Sequence, residues 1–299
     1  MNGTNKFTEQ RYQEFYSLPE GDVDLLFIGS SHSYCTFNPA NFPAYRGYQL
    51  GTPLQHADTS YYVLKDALKH QTPKIVVQEV YWDMLDDDFD LKQASTFFSV
   101  LDDDSIRKEY IDEVFPLAEK FKYSIPAIRY QSDYFAYRAA KINANLETAY
   151  GVAAPKENGS AGNEYYVNRG YVYCDTIMPE AEYDRTNQFK TLNGNNLKIS
   201  DTQTLYLKKI KTLCDQNNIL LIFVTAPIAP VSMNYIRNYH ALHDQIASIA
   251  DQLEVPYLDY NLIDLGLTDL NFRDDAHLND SGVNIVDEHF NAWLNNLAA

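Results

Sequence analysis

The sequence predicts a three-layer α/β/α fold with one mainly parallel sheet and helices on both faces. Two observations predict it: a strand–helix–strand unit near the start, and the return of that alternation after residue 200. In such a sheet, reactive side chains are expected beyond the carboxyl ends of the strands.

Asp24 to Ile28 (DLLFI) is a short apolar run entered from Pro19, Gly21 and Asp22 and ended by Gly29, which reads as a buried strand. After a loop rich in Asn and Pro, Tyr48 to Leu50 leads into Gly51. Leu54, Ala57, Tyr61, Leu64 and Leu68 recur at helical spacing, and Pro73 opens a further strand, KIVVQEVYW. From about residue 84 to 200 the pattern breaks. Helical stretches at Ser105 to Lys120 and Ser132 to Tyr150 precede a polar segment, Gly151 to Asn196, so an insertion or cap within a single domain of 1–299 is expected. Then come a helix (Leu205 to Leu213), a strand (Ile219 to Thr225), a helix (Tyr235 to Leu253), a strand (Val255 to Tyr260) and a last helix (Ser281 to Leu297).

Composition narrows the function classes. Lys and Arg number 24 against 41 Asp and Glu, a net charge of −17 that repels phosphate backbones, so nucleic acid is not an expected partner. Tyrosines number 24, which reads first as extra core and surface tyrosine and second as walls that stack on sugars or acyl chains. Cys35, Cys174 and Cys214 form neither a disulfide framework nor a zinc motif, and no metal or cofactor is expected. The longest apolar stretch, from Ile219, falls short of the ~18 residues a membrane span requires. The acidic runs at Asp86 to Asp88 and Asp102 to Asp104 read as solvated loops rather than calcium sites. His240 and His243 lack the further ligand a metal site needs and read as a surface pair.

Two segments carry chemistry. Gly29-Ser30-Ser31-His32-Ser33 follows the first strand directly, where a tight turn can expose a hydroxyl. Phe272-Arg273-Asp274-Asp275-Ala276-His277-Leu278-Asn279 follows the last strand. A serine hydroxyl is a poor nucleophile at neutral pH. It needs an imidazole to take its proton and a carboxylate to orient that imidazole, and an aspartate three residues before a histidine supplies both. Ser31, His277 and Asp274 are therefore the candidate nucleophile, base and orienting acid. Ser30, His32, Glu79 and Tyr81 are candidate binding residues at the same end of the sheet.

These residues resemble the SGNH or GDSL hydrolases, whose first block is an apolar strand followed by Gly-Asp-Ser and whose last is Asp-x-x-His. Ile28-Gly29-Ser30-Ser31 matches the first with serine for aspartate, and Asp274 with His277 matches the last. Gly51 in YQLGTP resembles the second-block glycine, which implies that its N–H and that of Ser31 form an oxyanion hole. The third block, Gly-x-Asn-Asp, has no counterpart in Gln78-Glu79-Val80-Tyr81-Trp82-Asp83. The resemblance implies a flavodoxin-like fold and a serine esterase or O-acyltransferase. The variant motifs are most similar to bacterial surface members, the D-alanine transfer proteins and polysaccharide O-acetylation partners. That likeness implies an acylated glycan or small acyl ester as substrate and work at the outer face of a bacterial membrane. An N-terminal anchor, absent from this chain, and a membrane-bound O-acyltransferase partner are expected on the same ground. The alternative is an accessory module that kept the fold and lost efficient catalysis. A phosphate-binding protein using the Gly-Ser-Ser turn fits the acidic composition poorly.

Overall fold

The computed structural model describes residues 3–86, 91–124, 160–161, 163–180, 183 and 187–297. Helix α1 (Gly3–Ser17) precedes strand β1 (Leu25–Ile28), which runs into the one-turn helix α2 (Ser31–Tyr34). Strand β2 (Gly47–Gln49), helix α3 (Ala57–Ala67) and strand β3 (Ile75–Glu79) complete the first unit. Helices α4 (Leu91–Val100), α5 (Asp104–Val114) and α6 (Leu117–Ser124) follow, then three short antiparallel strands, β4 (Ser160–Ala161), β5 (Glu164–Tyr166) and β6 (Val172–Cys174). The second unit is α7 (Asp201–Gln216), β7 (Leu220–Thr225), α8 (Pro230–Met233), α9 (His240–Gln252), β8 (Tyr257–Asp259) and α10 (Asp280–Leu297).

The main sheet has the order β2-β1-β3-β7-β8, with every pairing parallel. The chain thus winds outward in both directions from β1 and β3, and the crevice between their carboxyl ends is the switch point where such folds place their sites. Both faces of the strands are covered, which is why they read as continuous apolar runs. Leu26, Ile28, Val76, Leu221 and Phe223 enter one core, with Phe15 of α1, Val63 and Leu64 of α3, Ile210 of α7 and Ile246 of α9. Their neighbours Leu25, Phe27, Val77, Ile222 and Val224 enter the other, with Phe37, Phe42 and Phe290 of α10. Phe27 lies 4.8 Å from Phe37 and 5.3 Å from Phe42 between ring centroids. Truncating a ring packed in this way typically costs about 3–5 kcal/mol.

Among the described residues the expected elements are present, and α4 and the antiparallel strands β4–β6 are added to them. The stretch expected as one helix from Ser105 is two, α5 and α6, because Pro116 lacks the N–H an uninterrupted helix needs and sits just before α6 instead. The helix expected from Tyr235 begins at His240, after the short α8. Helix α1 was not anticipated. Its Arg11 is buried and donates to the carbonyls of Gly51 and Gly170, and its Tyr12 hydroxyl donates to Leu50. The expected helix at Ser132 to Tyr150 lies outside the described residues. The described parts of 84–200 share both cores: Ile106, Tyr110 and Phe115 join the first, Tyr171 and Met178 the second. Asp103, in one of the acidic runs, caps α5 by accepting from the N–H groups of Ser105 and Ile106. Among the described residues no helix is long and apolar enough to cross a membrane.

Candidate active site

The turn after β1 is built around a glycine and a cap. Gly29 has φ +135°, which side-chain-bearing residues rarely adopt. Ser30 then caps α2, its hydroxyl accepting from the His32 N–H at 3.2 Å, and Ser31 becomes the first helical residue. At that position its own N–H has no intrahelical acceptor.

The second segment is a loop held shut on itself. Phe272 bridges Leu278, and the Arg273 N–H donates to the His277 carbonyl at 3.0 Å. The Asp274 carboxylate accepts from the Ala276 and His277 N–H groups at 2.9 and 2.8 Å, which aims the aspartate back over the turn. Asp275 fastens the loop outward, its carboxylate accepting from Gln188 and its carbonyl from the Ser232 hydroxyl. Asn279 caps α10 with its side-chain oxygen and donates to the Leu270 carbonyl at 2.8 Å.

These two segments meet. Ser31 Oγ lies 2.8 Å from His277 Nε2, and His277 Nδ1 lies 2.9 and 3.0 Å from the two carboxylate oxygens of Asp274. The side chain of His277 is 20% exposed, so the pair opens to solvent at one side. Burial works to raise the Asp274 carboxyl, but the charge and hydrogen bond of His277, with the Ala276 N–H and Arg273, hold it well below the usual carboxylate range. A carboxylate kept ionised beside Nδ1 favours the tautomer with its proton on Nδ1, leaving Nε2 free to accept from the serine.

The remaining candidates take different places. His32 is wedged between His277, 4.7 Å away between ring centroids, and Tyr81, on which it stacks at 3.8 Å. Burial first, then the neighbouring His277, pushes the His32 imidazole well below its ordinary value, so it is neutral; its Nδ1 is buried without a partner among the described residues. Ser30 and Glu79 are buried and turned toward each other rather than toward a cleft, with both the N–H and the hydroxyl of Ser30 donating to Glu79 Oε2 at 2.8 Å. That corrects the expectation that they line a binding surface.

Gly51 also departs from expectation. It packs under the turn that carries Ser31, where a Cβ would stand 3.0 Å from the Gly29 carbonyl and 3.1 Å from Ser33 Cβ. Its N–H, however, donates to the side-chain oxygen of Gln49 at 2.7 Å, so it is not free for an oxyanion in this arrangement. Trp82, in the segment 78–83 where no third-block asparagine was found, is buried edge-on against Tyr239.

Arg273 was passed over in the sequence, although it adjoins Asp274. Its guanidinium donates to Glu164 at the start of β5 and to Cys35 Sγ, joining the antiparallel strands to the loop that carries Asp274 and His277. Beside it a cleft of about 270 Å³ is lined by Asn163, Glu164, Thr176, Asp274 and His277. A second, of about 350 Å³, runs along Tyr81, Asp83 and Gln188.

A second His–Asp pair lies apart from this site. His243 Nδ1 is 2.9 Å from Asp259, whose carboxylate also accepts from the Tyr239 hydroxyl and the Asn261 N–H. His240 is exposed. Among the described residues no group of three His, Cys, Asp or Glu side chains is placed to hold a metal ion.

No family model matches the chain, and no curated protein matches it. Among solved structures, a protein of Bacteroides fragilis named a "putative acylhydrolase" is similar over 97% of this chain and 97% of its own, with a TM-score of 0.46 at 11% identity. A likeness that distant fixes neither family nor activity.

Proposed function

We propose that the chain is a serine esterase or O-acyltransferase in which Ser31 is the nucleophile, His277 the general base and Asp274 its orienting carboxylate. The observation that carries this reading is the continuous contact from Ser31 Oγ to His277 Nε2 and from His277 Nδ1 to Asp274. Ser31 Oγ attacks an acyl carbonyl while its proton passes to Nε2. The departing alkoxide takes that proton, and water or an acceptor hydroxyl, deprotonated by the same nitrogen, then releases the acyl group from Ser31. The Ser31 N–H, left over by the helix, serves the oxyanion; Gly51 joins it only if Gln49 gives up its N–H. The polar side chains Asn163, Glu164 and Thr176 in the cleft beside His277 support an acylated glycan as substrate. Ser31→Ala is expected to cut turnover of a small acetyl ester by at least about a thousandfold. An unchanged rate sinks the assignment.

The engaged Gly51 N–H and the buried Trp82 favour a second reading, a catalytically weak module that handles glycan for a membrane-bound O-acyltransferase at the outer face of a bacterial membrane. A fluorophosphonate probe separates the two. Labelling that requires both Ser31 and His277 supports the enzyme, and a folded chain that stays unlabelled supports the module.

A further inference from the structure

Gln78 of β3 pairs with Ile28 of β1, so the residues that follow them, Glu79 at the end of β3 and Gly29 just past β1, lie side by side at the switch point. They are fitted to one another. A Cβ on Gly29 would stand 2.6 Å from Glu79 Cβ and 2.8 Å from Glu79 Oε2, so the turn closes only because glycine lacks a side chain there. Glu79 is 3% exposed, and both donors of Ser30 converge on its Oε2, while Oε1 is buried with no hydrogen-bond partner among the described residues.

An isolated buried carboxyl is a costly way to satisfy one N–H and one hydroxyl, since an amide oxygen would serve without a charge to desolvate. What the carboxylate adds is strength, because hydrogen bonds to an ionised acceptor are roughly twice as strong as neutral ones. The residue it grips is the one immediately before Ser31. We infer that Glu79 is a positioning residue: its carboxylate fixes Ser30, and through Ser30 the direction from which Ser31 Oγ meets His277 Nε2. This rests on the proposed role of Ser31 as nucleophile and adds a group that never touches substrate.

Burial, offset in part by the two Ser30 bonds, pushes the Glu79 carboxyl up to about 7. The titratable groups that feel its charge are the phenols of Tyr81, beyond the end of β3, and Tyr257 on β8, both held neutral by burial. The grip therefore tightens as pH rises through about 7.

The test uses Glu79→Gln and Glu79→Leu in the full chain, with two readouts: the rate of fluorophosphonate labelling at Ser31 between pH 6 and pH 8.5, and hydrogen exchange of the Ser30 amide. Glutamine keeps an oxygen for Ser30 but cannot ionise. Its deficit in labelling against the native chain is expected to grow about tenfold from pH 6 to pH 8.5, the size of one charge-assisted bond made neutral. Glu79→Leu is expected to label at least about tenfold more slowly at both pH values and to lose protection at Ser30 while the rest of the sheet keeps its own. A glutamine deficit that does not change with pH overturns the inference, and that variant decides the matter if the leucine chain does not fold. If the native chain does not label, the reading of Ser31 as nucleophile falls instead. Exchange then judges Glu79 alone: Ser30 protection retained in the variants overturns its hold on the turn, and protection lost supports it.

Discussion

His277 and Asp274 meet through both carboxylate oxygens, 2.9 and 3.0 Å from Nδ1, and the same carboxylate accepts the backbone N–H of His277. One side chain therefore fixes both the ring and the backbone that carries it. Asp274→Asn offers Nδ1 an amide in place of an anion and permits the wrong tautomer. It is expected to lower kcat on a small acetyl ester by about a thousandfold to ten-thousandfold, with KM changed by no more than about threefold. Steady-state kinetics on the two chains check this. A loss confined to KM would argue that Asp274 binds substrate instead.

Gly29→Ala is expected to destabilise the chain by about 2–4 kcal/mol, because the new methyl meets Glu79 Cβ at 2.6 Å in a backbone conformation that already disfavours it. Urea unfolding reads the loss. The same variant is expected to lose Ser31 labelling even where it remains folded.

Glu79 gives stability a pH dependence of known sign. Its carboxyl is raised from 4.5 to about 7 in the folded chain, so its favourable contribution is complete below about pH 4.5 and is lost as pH rises through about 7. Glu79→Gln removes that dependence. The stability of the glutamine chain relative to the native one is expected to increase by about 3 kcal/mol between pH 4.5 and pH 8, measured by urea unfolding at the two values. A difference that stays flat would mean that the native carboxyl ionises without cost.

A second His–Asp pair serves as an internal comparison. His243 reaches Asp259, but that carboxylate is gathered with Tyr239 and Asn261 into a network tying α9 to β8 and makes no hydrogen bond to Ser31, His277 or Asp274 among the described residues. His243→Ala is expected to cost about 1–2 kcal/mol and to leave the rate of Ser31 labelling unchanged. Labelling that fell with His243 would point to coupling through Tyr239, Trp82, Tyr81 and His32, whose rings pack in series between the two pairs.

Much of this fold could be read from residues close together in sequence. DLLFI, IVV and LLIFV declare buried strands because a parallel sheet leaves neither face wet, and Asp274 with His277 is a three-residue spacing on one loop. What escaped reading depends on partners far along the chain. Helix α1 has a mostly polar sequence and is held by Arg11 reaching carbonyls 40 and 159 residues away. Gly51 has the local look of an oxyanion donor, yet the fold of the Gln49 side chain decides where its N–H goes. Glu79 has the appearance of a pocket residue until Ser30, 49 residues earlier, is brought beneath it.

Arg273 adjoins Asp274 and ends on Glu164, at the start of β5 and outside the main sheet. The cleft wall and the Asp274–His277 loop thus lie on separate stretches of chain, moored to each other by that ion pair, by the Met178 N–H on the Phe272 carbonyl and by the Asn279 amide on the Thr176 carbonyl. A shift of the wall is therefore transmitted to the loop that carries His277.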